Sequence, residues 1–306
     1  MTEFSVDEKV HIAASFLLES PPGEVNDVFN DIRTLIGDDD ALQAGILTSL
    51  EDHNTEQLIT VALPESETEV IISKFGQLEG GRFADPRSKQ SFAFDHMRLV
   101  RYTTWNRSGN MPYPTLRYMH LDFAYKWCIF RAAIDNEVQA YVSDHYPHGV
   151  TTVHGSGSKV TIVIVDNKYN PSNYWYVLFF VRVRSITSQW NGRWRAVWEV
   201  EKGGSQLKGS AKVQVHYYEE GNVQLNSTKD FELDISSEQD EKKAATSIVK
   251  AIEKAEKEYQ MAINENYTEL SENTFKELRR ALPYTRNKVD WHKIFNYKVG
   301  NSIVNK

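Results

Sequence analysis

Cysteine is nearly absent from this sequence of 306 residues, which has only Cys128. One thiol makes neither an internal disulfide nor a cysteine-based metal site, which predicts a protein of a reducing compartment. Glycine (16) and proline (9) are too sparse for a collagen-like or linker-dominated chain. Long apolar runs are missing too. The strongest, residues 174–181, stops at Arg182, far short of the ~20 residues that span a bilayer. Excess positive charge is also lacking: the net charge of -7 argues against a bulk nucleic-acid binder. The opening residues, Met-Thr-Glu-Phe-Ser-Val-Asp-Glu-Lys, are acidic where a signal peptide is basic. Together these absences predict a soluble cytoplasmic protein. With 41% hydrophobic and 25% charged residues the composition is that of a folded chain, and its length suits one large domain or two smaller ones.

The charge is unevenly spread. Residues 1–54 hold twelve acidic and two basic side chains, whereas residues 276–306 hold eight Lys or Arg against Glu277 and Asp290. An acidic body with a basic tail has two readings, a solvated helix surface or a tail that meets an acidic partner.

Hydrophobic periodicity divides the chain into five segments. Residues 1–54 read as a cluster of three helices: one carrying Val10, Ala14, Leu17 and Leu18, one over 24–36 stopped by Gly37, and one opened by Asp38, Asp39 and Asp40. Residues 55–129 read as short strands, over 57–63, 69–75 and 91–97, followed by an atypical loop. Residues 130–235 begin with a helix over 130–145, with Ile134, Val138, Tyr141 and Val142 on its apolar face. Five strand candidates follow, over 149–153, 159–165, 193–200, 210–218 and 222–225. Trp194, Ala196, Trp198 and Val200 alternate with polar neighbours, as do Ala211, Val213, Val215 and Tyr217, the pattern of strands with one buried face. Their short connections predict an antiparallel sheet. Residues 236–270 read as a long helix opened by a capping box of Ser236 and Gln239, with its stripe at Ala245, Ile248, Ile252, Ala255, Tyr259, Ala262 and Ile263. Such a helix is about 50 Å long, roughly twice the width of five strands, and this mismatch favours a partner that supplies more sheet. Residues 271–306 hold a short helix stopped by Pro283 and an amphipathic end with Trp291, Ile294, Phe295 and Val299, read either as a docked helix or as a protruding arm.

Catalytic patterns are missing. Gly155-Ser156-Gly157 lacks the third glycine of a dinucleotide loop, and no P-loop is present. His145, His148 and His154 have weak metal spacing, and Cys128, between Trp127 and Ile129, reads as a buried thiol. Neither an enzyme nor a cofactor is expected.

The C-terminal string Leu278-Arg-Arg-Ala-Leu-Pro-Tyr-Thr-Arg-Asn-Lys-Val-Asp-Trp-His-Lys-Ile294, then Tyr297-Lys-Val-Gly300, closely resembles the end of the alpha subunit of the heterodimeric F-actin capping protein family (CapZ). Gly81-Arg-Phe-Ala-Asp-Pro-Arg87, Ser91-Phe-Ala-Phe-Asp-His96, Ala140-Tyr-Val-Ser-Asp-His-Tyr146, Trp190-Asn-Gly-Arg-Trp-Arg195 and Val213-Gln-Val-His-Tyr-Tyr-Glu-Glu-Gly-Asn-Val-Gln-Leu225 are similar to other family motifs. The resemblance implies an α+β fold: an N-terminal helical cluster, an antiparallel five-stranded sheet crossed by a long helix, and a C-terminal amphipathic tentacle. It implies an obligate heterodimer in which a beta subunit of the same fold completes the sheet. It further implies capping of the barbed ends of actin filaments, independently of calcium, in the cytoplasm and at cortical actin structures of the cytoskeleton. Lys276, Arg280 and Arg286 match the family's basic tentacle positions; Lys288 and Lys293 lie beside them, and Trp291, Ile294 and Phe295 supply the apolar stripe. Phosphoinositides and capping-protein regulators are further partners that the resemblance implies, and nucleic acid is not one. The competing reading is a basic-tailed adaptor for acidic membrane or nucleic acid.

Two stretches depart from the family pattern, residues 99–129 and residues 176–190. Each is either a surface loop or translated intron. Residues 176–184, rich in Val and Phe, form an aggregation-prone run when uncovered. Deletion of residues 176–190 is therefore expected to be tolerated or stabilising in a thermal melt, and sequencing of mature transcripts separates the two origins.

Overall fold

The computed structural model describes residues 5–21, 24–62, 69–96, 100–102, 121–169, 190–217, 223–236, 238 and 240–269. The N-terminal helices begin where local hydrogen bonding starts them. Ser5 opens α1 (Val6–Leu18) with a reciprocal capping box, its Oγ accepting from the Glu8 amide while the Glu8 carboxylate accepts from the Ser5 amide. Helix α2 (Val25–Ile36) ends at Gly37, whose φ of 66° suits a residue without Cβ. Asp38 caps α3 (Asp39–Glu56) through its carboxylate and the Ala41 amide at 3.0 Å. Ala13, Ala14, Leu17, Ile32, Leu42, Ile46 and Leu50 form their shared core. Gly45 lets α1 approach, since a Cβ there would lie 2.5 Å from Val10 Cγ1. Leu18, expected on the buried stripe, is exposed.

The expected strand over 57–63 is shorter than its pattern. Helix α3 continues to Glu56, closed by the bond from the Gln57 amide to the His53 carbonyl, and only β1 (Thr60–Ala62) pairs with β2 (Glu69–Ile71). A second small sheet follows, β3 (Gln77–Leu78), β4 (Arg82–Asp85), β5 (Gln90–Asp95) and β6 (Val100–Tyr102), in that order. Of these, only β5 was legible. Phe83, Phe92 and Phe94 pack with Val70 and Ile72 as its core. Arg87 joins this region to the next helix through an ion pair with Asp135 at 2.7 Å.

Helix α4 (Leu121–His145) starts nine residues before the expected 130 and so reaches into one of the atypical stretches. Ile134, Val138, Tyr141 and Val142 are buried as their spacing predicts. Cys128 corrects the expectation of a buried thiol. It is exposed, because the helix turns Phe130 inward and Cys128 outward.

The main sheet has strand order β11-β10-β9-β8-β7, each pair antiparallel: β7 (Gly149–Ser156), β8 (Lys159–Asp166), β9 (Trp190–Glu201), β10 (Gln206–Tyr217) and β11 (Val223–Asp234). Every strand is longer than its apolar pattern. The largest gain is β11, expected over 222–225, whose polar run Asn226-Ser-Thr-Lys-Asp230 carries no alternation and is held in register by β10. Because β9 begins at Trp190, a deletion that respects the strand ends at residue 189.

The two faces of the sheet differ. One carries Ile162, Ile164, Trp194, Ala196, Trp198, Val200, Leu207, Ala211 and Val213, all buried, and α4 and the part of α5 (Glu241–Glu269) up to Glu256 lie on it. The other carries Val163 and Val165, which pack with Leu58 and Ile71, and then turns polar toward β11. Helix α5 begins after Asp240, and Gln239 of the expected capping box lies outside the described residues. The Asp240 carboxylate accepts from the Lys242 and Lys243 amides at 2.9 and 3.0 Å, while Ser236 Oγ meets Ser247 Oγ at 3.3 Å. The chain divides into two compact units, residues 1–256 and 257–306, and the described part of the second is the end of α5.

Gly209 stands opposite Trp198, and a Cβ there would come within 2.1 Å of the indole. Replacing Gly209 with Ala is expected to displace a fully buried ring and cost about 1–3 kcal/mol, measured as a fall in melting temperature.

Candidate functional site

The basic and apolar tail residues Lys276, Arg280, Arg286, Lys288, Lys293, Trp291, Ile294 and Phe295 lie outside the described residues. The described body offers two features: a sheet with one end that no described strand covers, and a long helix tied to it at Glu256.

Glu256 fixes that helix. Its carboxylate, 0% exposed, accepts from Tyr141 Oη at 2.8 Å and Tyr146 Oη at 2.6 Å on one oxygen, and from Trp198 Nε1 at 2.8 Å on the other. The donors come from α4, from the residue after α4, and from β9. Burial raises the pKa of Glu256 against the pull of the three hydrogen bonds, and burial beside this carboxylate raises the Tyr146 hydroxyl well above its ordinary value. The sequence carried a trace of this residue: Glu256 continues the i, i+4 series Ile248 and Ile252, a carboxylate on an apolar stripe. Its three donors have no signal in spacing.

The open end is β11. The opposite edge strand, β7, is flanked by α4 and β2. No strand among the described residues pairs with the outer edge of β11. Its inner-facing Phe231 is buried against Trp198, with ring centroids 5.0 Å apart. Gln224, Asn226, Thr228, Asp230 and Glu232 alternate on the other face and are exposed.

Behind them lies a cationic group that sequence reading missed. Arg193 and Arg195 of β9 reach under the end of α3, where both donate to Gln57 Oε1, and Arg195 also donates to Gln214 Oε1. Burial lowers Arg193 to about 10 and Arg195 to about 9. Gly192, between Asn191 and Arg193, is required by contact: a Cβ there would lie 1.8 Å from the Tyr169 carbonyl oxygen.

Among the described residues no group of three or more His, Cys, Asp or Glu is placed to hold a metal ion. His145 meets the Tyr141 carbonyl and Glu253, while His154 is buried apart from it, its pKa lowered to about 4 chiefly by desolvation. No helix among them is long and apolar enough to cross a membrane.

The profile of the family described as F-actin capping protein alpha subunit matches residues 13–302. The F-actin-capping protein subunit alpha of Caenorhabditis elegans is 35% identical over 99% of this chain and 100% of that protein. Its namesake from Dictyostelium discoideum is 32% identical over 98% of this chain and 99% of that protein. Among solved structures, a homodimeric actin capping protein alpha subunit from Plasmodium berghei is 21% identical, covers 92% of this chain and 100% of that one, and superposes with a TM-score of 0.70, a likeness of fold.

Replacing Glu256 with Leu leaves three buried donors without their acceptor and is expected to cost about 1–3 kcal/mol for each, read by urea unfolding at fixed protein concentration. The raised pKa sets a sign for Glu256→Gln. A carboxyl that holds its proton more tightly when folded contributes most stability below the ordinary glutamate value of 4.5, and loses it as pH rises through the raised value. The wild-type protein should lose stability from this group across that window, and Glu256→Gln should remove that part of the slope.

Proposed function

We propose that this chain, which belongs to the F-actin capping protein alpha subunit family, works as the alpha half of a heterodimer. The dimer binds the barbed ends of actin filaments independently of calcium and blocks subunit addition and loss there. The observation that carries this reading is the end-to-end match with capping protein alpha subunits, which extends through the basic tail. The shape of the sheet supports it. A twelve-residue edge strand with no outer neighbour among the described residues is an unusual end for a folded protein, and a second chain of the same fold adding to β11 closes it. The place of action is the cytoplasm, at actin structures of the cytoskeleton.

In this proposal residues 271–306 are the arm that meets actin. Lys276 and Arg280 are four residues apart, so a helix sets both on one face, and Arg286 extends the charge past Pro283. Lys288 and Lys293 lie beside them, and Trp291, Ile294 and Phe295 supply an apolar stripe. Filament ends are acidic, so these cations steer approach and then hold the bound state.

Coexpression with a capping-protein beta subunit is expected to yield a soluble 1:1 complex, and a stable monodisperse monomer with a full cooperative melt would count against the heterodimer. In that complex, changing Lys276, Arg280 and Arg286 together to Ala should weaken capping about ten- to a thousand-fold and flatten its salt dependence. Dimer formation should be unaltered. Barbed-end elongation of pyrene-labelled actin at nanomolar cap is the measurement, and unchanged inhibition removes these three residues from the site.

A further inference from the structure

The sheet face opposite α4 and α5 holds a group of three cations, Arg193, Arg195 and Lys212, in which the hydrogen bonds of the two arginines reach no carboxylate. Arg193 and Arg195 alternate on β9, and Lys212 of β10 stands directly opposite Arg195. Arg195 is only 4% exposed. Like charges placed opposite one another across two strands repel, and desolvated cations are costly unless an anion answers them.

The hydrogen bonds of both guanidiniums end on uncharged oxygens. Arg193 Nη1 donates to Gln57 Oε1 at 3.1 Å. Arg195 donates to Gln57 Oε1, to Gln214 Oε1 and to the Glu56 carbonyl at 3.3 Å. Both Nε atoms are buried without an acceptor. The closing carbonyls of α3 and the two amide oxygens supply dipoles, not net charge. The Glu56 carboxylate is the acidic group that Arg195 and Lys212 both sense, and it points outward to Lys74 at 3.3 Å. His53, also beside these arginines, is held neutral more firmly by burial and by their charge.

The strand register shows where an anion can enter. Val165, Arg195, Lys212 and Thr228 form one row across β8, β9, β10 and β11. The row starts under the packed Leu58 and Ile71 and ends at the exposed Thr228, on the last strand. Arg195 is sealed inside, so the half-buried Lys212 is the cation of the pair that faces outward. Around it Gln214, Asn226 and Thr228 are polar and uncharged, and Asp230, one diagonal step farther along β11, is an exposed carboxylate on the same face. A strand added to β11 continues the row, and its side chain there stands about 10 Å from the Lys212 backbone. An extended lysine and a carboxylate side chain span that gap.

We propose that Lys212, backed by Arg195, is a socket for an acidic side chain that the partner subunit carries on the strand it adds to β11. The inference rests on the heterodimer reading and adds to it the chemistry that selects the partner's edge. A carboxylate there pairs with Lys212 only when the sheet is joined, so the pair favours the joined state over the free subunit.

The test uses the assembled heterodimer, with subunit exchange as the readout. Lys212→Met should speed dissociation severalfold. Lys212→Glu should speed it about tenfold or more at ~0.1 M salt, with a smaller effect at ~0.5 M. The new carboxylate faces Arg195 within its own subunit, so the fold of the alpha chain is kept and the loss is specific to the joint. Lys159→Glu, the same charge change at the exposed first residue of β8, should leave dissociation within about twofold of wild type. An Asp or Glu to Lys change on the partner's edge strand should rescue Lys212→Glu. A heterodimer that forms but dissociates alike in wild type and both Lys212 variants overturns the socket while leaving the heterodimer intact. Failure of the wild-type chain to pair with a beta subunit overturns both. Stabilisation of the wild-type complex by inorganic phosphate, abolished by Lys212→Met, would give the socket to a small anion and overturn the assignment.

Discussion

The described fold depends on one carboxylate buried without a cation. Glu256 draws a hydroxyl from α4, a hydroxyl from the residue that follows it, and the indole of Trp198, so helix, helix and sheet share an acceptor. Each of those donors would be expensive to bury alone, and the carboxylate would be expensive to bury without them. The mutual dependence sets the register of α5 more narrowly than its apolar stripe, which tolerates a slide of one turn from Ile248 to Ile252. It extends outward as well. Trp198 fits because Gly209 opposite has no Cβ, and Phe231 of β11 lies on the same indole. The buried hub and the open sheet edge are therefore one packed series, Glu256, Trp198, Phe231.

The two faces of the sheet divide the work of stability and selection. The face under α4 and α5 is apolar and closed by the chain's own helices, so its stabilisation is burial. The other is held at one end by Leu58 and Ile71 and at the other by a 2.7 Å contact between His216 Nδ1 and the Glu24 carboxylate. Between those supports it is polar, with the cations Arg193, Arg195 and Lys212 grouped together and Glu199, Asp230 and Glu232 farther along the strands. Hydrophobic burial gives little preference for one partner over another, whereas an arrangement of charges does.

What the sequence made legible follows from which forces leave a periodic trace. Trp194, Ala196, Trp198 and Val200 alternate because one side of β9 is core, and the same logic marked Ala211, Val213 and Val215. The five-stranded antiparallel sheet and the long helix were readable on that basis. Strand β11 was not, because its middle residues face water and its partner strand, not its composition, holds it. Strands of two to four residues in the small sheet are too short to show a period. The start of α5 was misplaced because Asp240 offered a nearer cap than Ser236. Glu256 was visible only as an anomaly, and Arg193 and Arg195 read as the polar half of an alternating strand. Burial of a polar residue by a segment more than a hundred positions away leaves no local trace. The tail takes its proposed role from resemblance alone, since a basic amphipathic stretch has too many uses for its periodicity to choose among them.

Length and edge chemistry lead to the same requirement. Helix α5 has 29 residues, about 44 Å, while five strands span about 20–25 Å. A joined sheet removes that disproportion, but an edge strand open to joining is also open to the wrong neighbour. Strand β11 limits that risk with its exposed row of Gln224, Asn226, Thr228, Asp230 and Glu232, which offers no apolar side chain to a stray strand and places two carboxylates toward one end. In the proposed joint, a neighbour that brings acidic groups to that end is repelled, and one that brings them into the Lys212 row is drawn in. The same strand thus excludes and admits by register, and a shift of two residues along β11 exchanges one outcome for the other.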